Sequence, residues 1–142
     1  MRKILLLLAV TVAGLGIGGG AAYGTALFLA PPAPAASDGP SSFVPAGKVL
    51  APLVLKDGRL AGYVTFEIQV EVAEEEAESV QARMPLLLNA INMRTFKAPL
   101  AAGPDGLLPN IGLFRNLVME ASNEAFGKGV VRRAAVTQAV PA

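Results

Sequence analysis

The chain has 142 residues, with twelve Lys or Arg against eleven Asp or Glu, and no Cys, His or Trp. A formal charge of +1 gives no support to nucleic-acid binding, which shows as a basic patch or stripe. Without Cys or His the chain has no disulfide, thiol nucleophile, Ser-His triad or typical zinc site.

The first feature in chain order is residues 4–30, which carry no charge over 27 positions. Arg2 and Lys3 precede them, and Pro31 and Pro32 follow. As a helix they would reach about 40 Å, against a hydrocarbon core of about 30 Å. Backbone groups in lipid must bond internally, so the stretch predicts a single N-terminal transmembrane helix as an anchor. The basic residues stand only at its start, and the next is Lys48. The positive-inside rule then predicts a short cytoplasmic tail, residues 1–3, with the rest on the far side of the membrane, which in a bacterium is the periplasm. The competing reading is a cleaved signal peptide, cut near Gly24-Thr25-Ala26 or within 33–36. Its apolar core is usually about 7–15 residues, so the longer run favours the anchor.

The glycines of this stretch admit two readings. Gly14-Leu15-Gly16-Ile17-Gly18-Gly19 fits the dinucleotide-binding spacing, and Asp38 follows it. That fingerprint requires a strand before it and a βαβ unit around it, and neither is indicated here. No cofactor is therefore expected. Gly14 and Gly18 are four apart, and Gly16, Gly20 and Gly24 form a second ladder of the same step. Such spacing lets two transmembrane backbones approach closely, so these five glycines are candidates for helix packing.

Residues 31–42 are rich in Pro, Ala and Ser and read as an extended linker. The domain expected after it covers residues 43–142. Residues 48–56 suit an edge strand, because Pro52 cannot donate to a central ladder. Asp57-Gly58 marks a tight turn. Residues 60–72 then alternate with a period of two. Val64, Phe66, Ile68, Val70 and Val72 share one face, predicted buried; Thr65, Glu67, Gln69 and Glu71 share the other, predicted wet. Glu67 and Glu71 would stand about 13 Å apart along the strand. That exceeds the roughly 5–9.5 Å of a glycosidase carboxylate pair. The four polar positions are instead a candidate interaction face.

Glu74, Glu75 and Glu76 suit the first turn of a helix, where acidic groups complement the dipole. Val80, Met84, Leu87, Leu88 and Ile91 follow as a core-facing stripe. Pro85 interrupts it and predicts a bend or restart near 81–84. After a loop over 97–106, a second helix is expected over 108–126, with Ile111, Phe114, Leu117, Val118, Ala121 and Ala125 inward and Gly127 as its stop. Residues 130–140 read as a third strand. Arg132 and Arg133 face opposite sides of it, and one of them is expected to pair with Glu67 or Glu71.

The order is thus β-β-α-α-β, an α+β domain. With these residues the chain resembles the flagellar basal-body-associated FliL family. The likeness rests on the alternating strand from Tyr63 to Val72, on the acidic helix with Arg83-Met84-Pro85, and on a terminal strand after an amphipathic helix. The resemblance implies a single-pass inner-membrane protein with a periplasmic stomatin-like (SPFH-like) domain. It also implies association with the stator of the flagellar motor, rings of like subunits, and support of swimming, swarming and chemotaxis. No metal, catalytic residue or enzyme activity is expected. The other classes weighed are a periplasmic binding module holding a small apolar ligand between sheet and helices, and an enzyme, for which no catalytic cluster is present.

Overall fold

A computed structural model describes residues 39–142. Strand β1 (Ser41–Val54) and strand β2 (Leu60–Ala73) form an antiparallel pair. Their connection turns at Gly58, whose φ of +85° suits glycine. Leu55 both accepts from Gly58 N–H and donates to Arg59 C=O. A 3₁₀ turn (Glu74–Glu76) leads into α1 (Ala77–Ala82) and then α2 (Met84–Thr95). A two-residue hairpin follows, β3 (Ala101–Ala102) with β4 (Leu108–Pro109). Helix α3 (Ile111–Phe126) and strand β5 (Val131–Pro141) complete the chain.

The main sheet has the order β1-β2-β5, and both outer strands run antiparallel to β2. The alternating stretch is therefore its centre, and Pro52 stands on an edge strand as expected. β1 is longer than the sequence suggests: it begins at Ser41, inside the expected linker, and passes a register shift between Pro45 and Gly47. Val64, Phe66, Ile68, Val70 and Val72 are all buried. Against them pack Val80, Met84, Leu87 and Ile91 from α1 and α2, and Phe114, Leu117, Val118 and Ala121 from α3.

The break between α1 and α2 falls at Arg83, with φ −100° and ψ 11°. Pro85 has no N–H, and its ring would clash with the carbonyl four residues earlier, so a continuous helix cannot pass it. Asn110 opens α3, its side-chain oxygen accepting from Leu113 N–H at 2.9 Å. Gly127, with φ +100°, ends it. Ile111, expected inward, lies on the first turn and is 41% exposed.

The expected fold class needs correction. It placed a single N-terminal transmembrane helix ahead of a stomatin-like β-β-α-α-β domain. Among the described residues no helix is long and apolar enough to cross a membrane. The longest, α3, has 16 residues, or about 24 Å of rise, short of the ~30 Å core, and its outer face is polar. The leading strands and the restart at Arg83 are as expected, whereas the expected loop over 97–106 carries half of the hairpin β3–β4. The described architecture is a mixed α/β arrangement. Residues 4–30, with Gly14, Gly16, Gly18, Gly20 and Gly24, lie outside the described residues.

Candidate interaction face

The face of the sheet turned away from the helices is built row by row from the strand registers. Opposite residues on antiparallel neighbours point to the same side. Phe43, Glu71 and Arg133 form one row; Pro45, Gln69 and Ala135 the next. Lys48, Glu67 and Gln138 form the middle row, followed by Leu50, Thr65 and Val140, then Pro52 beside Tyr63. A register shift between Glu67 and Ile68 leaves Thr137 without an opposite residue, and its hydroxyl donates to Glu67 C=O at 3.2 Å. That extra residue resets the phase of β5 and brings Gln138 and Val140 onto this face.

The four residues expected on the wet face divide. Thr65, Glu67 and Gln69 are half-buried there. Glu71 is on the same face and yet only 6% exposed. Ser41 Oγ donates to its Oε1 at 2.7 Å. Arg133 donates to Oε2 through Nε at 2.8 Å and approaches it with Nη2 at 2.7 Å. The Ser41 hydrogen bond, then the Arg133 hydrogen bond and charge, hold the Glu71 carboxyl below the usual glutamate range. Glu71 thus ties both outer strands to the central one. Of the two expected arginine partners, Arg133 is the one that hydrogen-bonds it; Arg132, left without an opposite residue by the register shift between Glu71 and Val72, donates to Gly39 C=O at 3.2 Å.

The sequence reading named the polar residues of β2 on this face and treated residues 48–56 separately, as an edge strand. The apolar part was missed: Leu50 and Val140 flank Thr65, and all of Phe43, Leu50, Tyr63 and Val140 are exposed. Lys48, Thr65, Glu67, Gln138 and Val140 enclose a shallow depression of about 300 Å³. Tyr63 lies on β2 itself; Phe43, Lys48, Leu50, Gln138 and Val140 stand on two other strands, and the sequence carries no register to align them.

A second recess of about 190 Å³ lies where the end of α2 meets α3, lined by Arg94, Lys97, Ala98, Leu113, Asn116, Leu117 and Glu120. Arg94 pairs at its rim with Glu124 at 2.6 Å. The space between sheet and helices is filled by side chains: Phe66 and Phe114 stack there with centroids 3.7 Å apart. Among the described residues no three Asp or Glu converge to hold a metal ion.

No protein-family model matches the chain, and no curated protein matches it at a significant level.

Proposed function

We propose that the protein is a non-enzymatic accessory subunit of a membrane-bound flagellar motor, acting by contact with copies of itself and with stator proteins. The observation that carries this reading is the broad outer face of the sheet, where exposed apolar residues surround a central Lys48–Glu67 row. An exposed mixed face of this kind suits protein contact. Two stretches that carry the likeness to the flagellar family also support it: the alternating strand is the centre of the sheet, and Arg83-Met84-Pro85 is the joint between two helices. The uncharged residues 4–30 of the sequence support a location at the inner membrane, with the folded residues in the periplasm. Ring assembly around the stator is part of the same proposal.

The test is soft-agar motility of a clean deletion strain, complemented with the full chain. Reduced spreading restored by the full chain supports the motor role. Unchanged spreading in a flagellated host rejects it. The competing binding module, with an apolar ligand between sheet and helices, is disfavoured by the stacked Phe66 and Phe114 that occupy that space.

A further inference from the structure

Lys48 on β1 and Glu67 on β2 are directly opposite in the ladder. Their side chains emerge on the same outer face, at the centre of its rows. Next to them, toward one end of the sheet, are exposed Leu50, Tyr63 and Val140, at 55%, 45% and 43%. A cation and an anion on neighbouring strands make a face that is complementary to itself under a two-fold rotation. With the axis along the strands, midway between β1 and β2, β1 of one copy lies over β2 of the other. Lys48 then meets the second copy's glutamate at position 67, and Glu67 meets its lysine at position 48. The same rotation sets Val140 beside the second copy's Leu50, so that exposed apolar side chains of the two copies meet.

We infer that two copies of this chain dock face to face through the outer surface of this sheet, registered by reciprocal Lys48–Glu67 pairs. Sheets pack about 10 Å apart, a gap that a lysine and a glutamate span together. Aligned sheets cross at about 30°, so the two charge pairs stay in register while the ends diverge. Such an interface is isologous and closes at two copies. Further ring contacts would therefore use other surfaces. The inference rests on the reading of the protein as a self-associating accessory subunit and names the surface through which it does so.

The deciding experiment is a charge exchange between chains, read by light scattering on the full-length protein purified in detergent. Lys48→Glu alone presents glutamates at both positions, and Glu67→Lys alone presents lysines at both. Each single variant is expected to associate with itself at least about tenfold more weakly, since like charges face each other across the interface. An equimolar mixture of the two variants restores opposite charges at both contacts and is expected to return to the parent affinity. A cross-strand pair acting only within one chain is not repaired by mixing, so recovery is specific to the contact between copies. Leu50→Asp is expected to weaken association in the same way while leaving thermal unfolding cooperative. If the parent self-associates and neither charge variant changes this, the face is overturned and the self-associating reading survives. If the parent is monomeric throughout, both fall.

Discussion

Phe66 of the central strand and Phe114 of α3 stack at 3.7 Å between centroids, with their planes 12° apart. Both are fully buried. The pair joins sheet to helix where the two layers meet, so truncating one ring leaves a cavity that the rigid strand cannot close. Phe114→Ala is expected to lower unfolding free energy by about 3–5 kcal/mol, measured by urea denaturation. A loss near that of a surface substitution would mean that the layers collapse onto the gap.

Two glycines with left-handed backbone give a graded comparison. Gly58 has φ +85° and open space around the place of a Cβ. Gly106 has φ +74°, and a Cβ there would lie 2.7 Å from Leu55 Cδ2 and 3.1 Å from Ala61 Cβ. Gly58→Ala is expected to cost about 1–2 kcal/mol from backbone strain alone. Gly106→Ala is expected to cost more, because Leu55 must also shift. Thermal melts of the two variants check the order, and equal melting temperatures would refute it.

Asn110 caps α3 through Leu113 N–H. Asn110→Ala removes that acceptor and is expected to cost about 1 kcal/mol, whereas Asn110→Asp keeps it and is expected to be near neutral or stabilising. A denaturant midpoint for each variant separates capping from a general effect of the site.

Glu71 predicts an acid limb of stability. Its folded-state pKa lies below the ordinary value of 4.5, chiefly through Ser41 and then Arg133. The unfolded chain therefore takes up the proton first as pH falls. The stabilisation is fully present above the ordinary value and is lost as pH drops through the lower folded-state value. Melting temperature is expected to be flat with respect to this group at neutral pH and to decline below about pH 4.5. Glu71→Gln is expected to melt several degrees lower at pH 7 and to show a shallower decline in acid. An identical slope in the variant would assign the acid limb to other carboxylates.

The guanidinium of Arg83 lies 5.3 Å over the ring of Phe126. It ties the joint between α1 and α2 to the end of α3. Arg83→Lys, which keeps the charge and loses the planar stacking group, is expected to cost under about 1 kcal/mol at this partly exposed site. A double-mutant cycle with Phe126→Leu reads the coupling, which vanishes if the contact contributes nothing.

Some of this protein was written in local periodicity and stereochemistry. The two-residue alternation from Val64 to Val72 determined the central strand and its buried face, because a strand's side chains can only alternate. The proline at position 85 determined the break at Arg83, and Pro52 determined that β1 is an edge, because a missing N–H cannot serve a ladder on both sides. Other features depended on neighbours distant in sequence. β1 extends back to Ser41 because its residues find partners as far as Ala73; the proline-rich composition just before it gave no sign of that. Ile111 fits the helical stripe yet lies exposed, since the stripe extends beyond the core it serves. Glu71 reads as a wet glutamate and is buried, because Ser41 and Arg133 close over it from both sides. The outer face was decided in the same way. A sequence states which residues alternate, whereas register, shifted here at Gly47 and Thr137, states which residues meet. Only the folded sheet put Lys48 beside Glu67 and Leu50 in a row with Val140.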